Sequence, residues 1–201
     1  MLEKDEPTPP GYRRVPYHMT FDVKVDLRRK SRLVIDGNRS PPVHKEECFA
    51  SVVTLEAERL GFLMAKMHGL QVVAADVGNA YLTAYTEEKL YIIAGDEFGP
   101  EYKGKRLLVE RSVYGTRTGG ARFHESLSAK LRRIKFHPSK ADHDLWMRKT
   151  KDGSYEYIAR FVDDVICFSK NPQAILDYLR KFSATHGLKI GNRILDVGTC
   201  R

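Results

Sequence analysis

Cysteine is scarce in this sequence: Cys48, Cys167 and Cys200 are the only three, and they lie far apart. An odd, sparse count builds no disulfide framework and suggests reduced thiols and an intracellular setting. No apolar run reaches the length that spans a bilayer. The N-terminus, Met1-Leu2-Glu3-Lys4-Asp5-Glu6, is acidic and lacks the apolar stretch of a secretory signal. There is no internal repeat, no low-complexity tract and no phosphate-binding loop of the Gly-Lys-Ser/Thr type. His44 and Cys48 have no further ligands at zinc spacing and read as structural. No serine, histidine and acid arrangement marks a hydrolase.

What the chain does have is apolar and charged residues in the proportions of a soluble globular protein, 42% hydrophobic and 30% charged over 201 residues. That length suits one domain or two closely packed subdomains. The net charge of +8 favours a polyanionic partner. Lys24, Arg28, Arg29, Lys30 and Arg32 crowd one segment, and Lys130, Arg132, Arg133 and Lys135 crowd another. Each cluster is either a nucleic-acid contact or a solvated face. No single acidic block compensates them.

Periodicity sketches the elements. Residues 1 to 11, with Pro7, Pro9, Pro10 and Gly11, read as a disordered leader. Met19, Phe21, Val23 and Val25 alternate with polar residues, so strands are expected between Tyr17 and Ile35. A helix is expected from an N-cap at Thr54 to Gly69, with Leu60, Leu63, Met64 and Met67 as its apolar stripe. The run Leu70 to Ala75 reads as a buried strand ending in Asp76. Strands follow at Leu90 to Ala94 and Arg106 to Val109, then a helix opened by Gly119-Gly120 with Phe123, Leu127, Leu131 and Ile134 on one face. Leu145 to Arg148 and Tyr155 to Val162 read as strands, Asp163-Asp164 as a turn, and Val165 to Phe168 as the returning strand. Asn171 caps a last helix, with Pro172 at its first position, a stripe of Ile175, Leu176, Leu179 and Phe182, and Gly187 at its end. Adjacent hairpins among helices make the fold class α+β.

The chemistry concentrates in Phe161-Val162-Asp163-Asp164-Val165-Ile166, two carboxylates at a hairpin tip between apolar strands. Tight turns favour Asn-Gly or Asp-Gly, and two adjacent like charges gain nothing there unless a cation relieves them. Asp76 ends a separate apolar strand, where an unpaired carboxylate is costly to bury. Three carboxylates brought to one point suit Mg²⁺, which keeps several waters and takes its other ligands from phosphates. A pair of such ions can hold the attacking and leaving oxygens of a phosphoryl transfer.

In order along the chain, Phe21-Asp22-Val23-Lys24, Lys30-Ser31-Arg32-Leu33-Val34, Ser51-Val52-Val53, Ala75-Asp76-Val77-Gly78-Asn79-Ala80-Tyr81-Leu82, Val113-Tyr114-Gly115, Lys140-Ala141-Asp142 and Phe161-Val162-Asp163-Asp164 resemble the reverse transcriptase domain of copia-type retrotransposons, in particular its protist and algal branch. The resemblance runs from about Gly11 to about Asn171. It implies a right-hand polymerase fold of fingers and palm, an antiparallel palm sheet backed by helices. The fingers would take about residues 12–69 and 90–115 and the palm about 70–89 and 116–190, within a core of 12–201 that lacks a thumb and an RNase H domain.

The resemblance also implies roles. Asp76, Asp163 and Asp164, with the Val77 carbonyl, would hold two Mg²⁺ or Mn²⁺ ions, Asp164 being the more peripheral of its pair. Tyr81 would lie under the sugar of the incoming nucleotide, beside Asn79 and Ala80, and exclude a ribose 2′-hydroxyl. Arg32, four residues before Asp36, would grip the triphosphate with help from Lys30. Thr118 stands where related domains carry a glutamine that contacts the nucleotide. Phe161 and Val162 would meet the primer end, and Arg117, Gly119 and Gly120 the primer or template. The implied activity is RNA-directed DNA synthesis, with template-primer, deoxynucleotides and the rest of a retrotransposon polyprotein (integrase and RNase H) as partners and no membrane. The implied location is cytoplasmic, in a virus-like particle, and nuclear. Two other readings stay open. One is a degenerate palm that only binds nucleic acid. The other is a different palm phosphotransferase, such as a cyclase or an RNA-directed RNA polymerase.

Overall fold

The structure is a computed structural model that describes residues 1–2, 6–25, 27–184 and 190–195, with backbone alone for 182–184 and 190–195. In chain order the elements are β1 (Arg13–Arg14), β2 (Tyr17–Val23), β3 (Arg29–Ile35), α1 (Lys45–Cys48), α2 (Leu55–His68), β4 (Gln71–Val77), β5 (Leu90–Ile93), β6 (Arg106–Leu108), α3 (Gly119–Arg133), β7 (His137–Pro138), β8 (Leu145–Lys149), β9 (Tyr155–Phe161), β10 (Asp164–Ser169), α4 (Pro172–Ala184) and β11 (Ile190–Leu195). The α+β class is as expected. No helix among the described residues is long and apolar enough to cross a membrane. The chain divides into two compact units, Met1–Phe49 with Ala84–Phe123, and Ala50–Thr83 with His124–Arg201.

The first unit holds a three-stranded sheet, β1-β5-β6, and the separate antiparallel hairpin β2–β3. Val15, Ile35, Leu90 and Ile92 form its core, with Tyr17, Leu33, Phe98 and Val113 packed around them. The alternation of β2 therefore buries only its base. Phe21, Val23 and Leu27, further out, are 79%, 61% and 82% exposed. The Tyr114-Gly115 motif has a backbone cause. Tyr114 O accepts from Ile35 N at 2.8 Å, and Gly115 has a φ of 88°. A Cβ on Gly115 would stand 1.9 Å from Ile35 O, so only glycine fits. Leu2, expected in a disordered leader, is instead buried, and its N–H donates to Arg106 O at 2.9 Å.

The second unit is built on a six-stranded antiparallel sheet in the order β11-β4-β10-β9-β8-β7. The segments β4, α3, β9, β10, α4 and β11 follow the chain order β-α-β-β-α-β, and their sheet order is that of a split βαβ motif. On β4, Val72, Val73, Ala75 and Val77 are all buried, as befits a strand covered on both faces. One face packs on α2 through Val72, Tyr157, Ala159 and Phe168. The other carries buried Val73, Ile158, Arg160, Val165 and Cys167. α3 meets that face through His124 and Ser128, and α4 packs on β4 and β10.

Two expectations are corrected in this unit. The buried stripe of α2 is Ala57, Gly61 and Ala65, whereas Leu60, Leu63 and Met67 are exposed and Met64 is partly packed. A row of small residues lets the helix lie close on the sheet. A Cβ on Gly61 would reach 2.8 Å from the Phe168 ring. The hairpin turn is also offset by one residue. β9 ends at Phe161 and β10 begins at Asp164, so Val162 and Asp163 are the central turn residues. The last helix has the expected cap, Asn171 Oδ1 accepting from Ala174 N at 3.3 Å. Phe182 and Gly187, expected as its last stripe residue and its stop, lie outside what is described of side chains and of chain respectively.

Candidate active site at the β9–β10 hairpin

The register of the central strands decides which carboxylates meet. β4 and β10 pair with Asp76 directly opposite Asp164. Val77 N donates to Asp163 O at 2.8 Å, so residues 77 and 163 form a hydrogen-bonded pair. Asp76 and Asp164 are therefore the adjacent non-hydrogen-bonded pair, whose side chains stand closest and on one face. Phe161 pairs with Asp164 and shares that face. It is the face that α2 covers lower down. At the hairpin end it lies open, with Asp76 and Asp164 exposed and Phe161 54% exposed.

The turn itself is strained. Val162 has a φ of 52°, and it is the only one of the two central residues in the left-handed region, the pattern of a type II′ turn. A β-branched residue there is rare, and such a conformation costs about 1–3 kcal/mol. The surrounding sheet holds it. Asp163 is half-buried within this turn.

Two like charges opposed across strands repel, and a cation removes the cost. Among the described residues, no three carboxylate, imidazole or thiol side chains form a closed metal-holding group. The donor set is instead open: the Asp76–Asp164 pair, Asp163 in the turn, and the Val77 carbonyl. That suits a cation such as Mg²⁺, which binds through one or two carboxylates and completes its shell with waters and substrate phosphates.

The other expected residues divide between the units. Asn79, Ala80 and Tyr81 follow β4 directly. Asn79 turns the chain with a φ of 54°, Ala80 is buried and Tyr81 is half-buried. Lys30 and Arg32 belong to the first unit, on β3. The Arg32 guanidinium lies 5.5 Å from the centre of the Tyr114 ring, and its buried Nε has no hydrogen-bond partner among the described residues.

Thr118 and Arg117, also in the first unit, are otherwise engaged. Thr118 is 3% exposed, and its N–H and hydroxyl donate to Glu88 Oε1 at 2.9 and 2.7 Å. A carboxylate of the chain thus takes the Thr118 donors at the start of α3. Arg117 donates to Gly37 O, Ser40 Oγ and Asn38 O at 2.7, 3.0 and 3.1 Å, which ties it to the loop at 37–40. Gly119 is buried and Gly120 half-buried.

The structure also assembles a polar cluster that sequence reasoning missed. Asp144 and Arg160 are each 1% exposed and form an ion pair beneath the hairpin. His124 Nε2 lies 3.0 Å from Asp144 Oδ1 and 3.3 Å from Ser51 Oγ. This is not a hydrolase triad, because acid and serine meet the same ring nitrogen. Burial opposes ionisation of Asp144, but hydrogen bonds from His124, Ser51 and Arg160 outweigh it and hold the carboxyl well below its usual range. Asp142 is likewise held down by the N–H groups of Thr54 and Asp144 and the Thr54 hydroxyl, against its own desolvation. The available signal was Arg160 itself, a charge inside the apolar run Tyr157 to Phe161, which had to find a buried partner.

The chain is similar to known polyproteins. The chain is 23% identical over 190 residues to the Retrovirus-related Pol polyprotein from transposon TNT 1-94 of Nicotiana tabacum, covering 90% of this chain and 14% of that protein. It is 27% identical over 179 residues to the Transposon Ty1-DR4 Gag-Pol polyprotein, and 28% over 173 to that of Ty1-BL, both of Saccharomyces cerevisiae, covering 86% of this chain and 10% of each relative. It therefore spans about a tenth to a seventh of the length of these relatives, which bear out the copia-type retrotransposon likeness. Matched over residues 6–194 to the family described as Reverse transcriptase (RNA-dependent DNA polymerase), the chain belongs to that family.

Proposed function

We propose that this chain is the catalytic core of an RNA-directed DNA polymerase, with fingers at about residues 12–69 and 90–115 and palm at about 70–89 and 116–190. The observation that carries the reading is Asp76 opposite Asp164 on the open end of the sheet, beside a strained turn that contains Asp163. Asp76, Asp163, Asp164 and the Val77 carbonyl would hold two Mg²⁺ or Mn²⁺ ions. When bound, such ions neutralise charge on the attacking and leaving oxygens of an in-line displacement. The chain's own residues position the substrates. Exposed Phe161 and Val162 offer apolar contact to the primer end. Tyr81, five residues past Asp76 in sequence, supplies a ring against the sugar and discriminates against a 2′-hydroxyl. Arg32 and Lys30 supply charge for the triphosphate. Primed RNA or DNA template and deoxynucleotides are the substrates, and integrase and RNase H segments of a polyprotein the partners. Placement in the protist or algal branch, and work in a cytoplasmic particle and the nucleus, belong to the same proposal.

Primer extension on a primed RNA template with Mg²⁺ or Mn²⁺ tests it. Asp163→Asn should lower extension by at least about a hundredfold, the scale of losing one charge-stabilising group, with the circular dichroism spectrum unchanged. Undiminished extension by that variant ends the reading. The Glu88 contact that takes the Thr118 donors favours a second reading, a palm that binds nucleic acid without synthesis. Salt-sensitive binding with no nucleotide addition by the wild type would support it. Preference for ribonucleotides would point instead to a cyclase or an RNA-directed RNA polymerase.

A further inference from the structure

We infer that Arg160, with Asp144, His124 and Ser128, is a positioning device that sets the root of the catalytic hairpin, an inference that rests on the polymerase reading. The Arg160 guanidinium is held at every nitrogen. Nε donates to Asp144 Oδ1 at 2.8 Å, Nη1 donates to His124 O at 2.9 Å and to Ser128 Oγ at 2.8 Å, and Nη2 meets Asp144 Oδ1 and His124 Nε2. Four of its five side-chain N–H groups thus have an acceptor, since His124 Nε2 carries the proton that Asp144 accepts. The main chain is tied as well: Arg160 N donates to Asp144 O at 3.0 Å, and Arg160 O accepts from Val53 N at 2.9 Å.

The next residue is exposed Phe161, and the one after it is the strained Val162. Alternation along β9 puts the Arg160 side chain on the face opposite Phe161, Asp76 and Asp164, so it cannot touch substrate and acts only through the strand. The segments that carry the Ser51-Val52-Val53 and Lys140-Ala141-Asp142 motifs converge on this root. Thr54 N and Oγ1 both donate to Asp142 Oδ2 at 2.8 Å, and Asp144 N donates to Asp142 Oδ1 at 2.8 Å.

A buried ion pair is a poor source of stability, since apolar residues of similar volume often do as well or better. What such a network supplies is one geometry in place of several. Its service here is to hold the turn at the angle its carboxylates need.

The discriminating variant replaces both charges, Asp144→Leu with Arg160→Met, in the full chain. The thermal midpoint should stay within a few degrees of wild type. The extension kcat should fall about tenfold or more with the deoxynucleotide KM unchanged, and the Mn²⁺ dissociation constant, read by electron paramagnetic resonance without substrate, should rise about tenfold, the scale for losing an outer partner of a metal site. A stable double variant with wild-type kcat and Mn²⁺ affinity overturns the inference and leaves the polymerase reading intact. A double variant that unfolds also overturns it, because the network would then serve stability. A wild-type chain that neither extends primers nor binds Mn²⁺ overturns both.

Discussion

β2–β3 and β9–β10 are both antiparallel hairpins of alternating pattern, one in each unit. β2 and β3 form a separate two-stranded sheet, tied to Tyr114 at its base, and Phe21 and Leu27 stand 79% and 82% exposed. β9–β10 lies between β8 and β4, and Ile158, Val165 and Cys167 have no exposed surface. A lone two-stranded hairpin is marginal in water, whereas one flanked by further strands is rigid. The first is held by few neighbours, with Lys24, Arg28, Arg29 and Lys30 along it. The second can hold a β-branched residue at a φ of 52° because its neighbours leave it no alternative. The two hairpins thus differ in how firmly their neighbours fix them.

The contrast can be broken from its base. Gly115→Ala should cost the first unit about 3 kcal/mol or more, since it combines a left-handed φ with a collision against Ile35 O. Hydrogen exchange should show amides of Ile35 and Leu90 losing protection before those of Val165 and Cys167. Equal loss in both sets would show that the units do not differ in this way.

Acid should act on the other side. Asp142 and Asp144 ionise at lower pH in the folded chain than in an unfolded one. Their stabilisation is therefore fully present above the unfolded carboxylate value of about 3.9 and is lost as pH falls through their folded values. Urea midpoints of the second unit, followed through the fluorescence of Trp146, should hold from pH 7 to about 5 and fall below about 4. A midpoint that is flat down to pH 3 would deny these carboxylates a stabilising role.

The smallest effect on stability should come from Phe21→Ala, within about 0.5 kcal/mol, because so little of the ring is packed. The same change should weaken single-stranded RNA binding by about fivefold to a hundredfold if the ring stacks on a base. Unchanged RNA affinity would leave β2–β3 as a solvated hairpin.

Much of the fold was legible one residue type at a time. Thr54 caps α2, accepting from Ala57 N at 3.3 Å, and Gly69 stops it with a φ of 61°, both readable because caps and stops depend on local stereochemistry. The α2 stripe was misread because side-chain size suggests a buried face, while contact with Phe168 demanded the smallest residues there. The turn was misplaced because the order Val-Asp-Asp does not say which two residues the strand register leaves unpaired.

The sequence by itself determined the kinds of elements, the acidic tip and the family, since these depend on residue identity and order. Only the tertiary structure decided that Asp76 faces Asp164, that Thr118 is taken by Glu88, and that Arg160 finds Asp144. Those facts join residues 16 to 88 positions apart. Such pairings are fixed by register and packing, which no local pattern encodes.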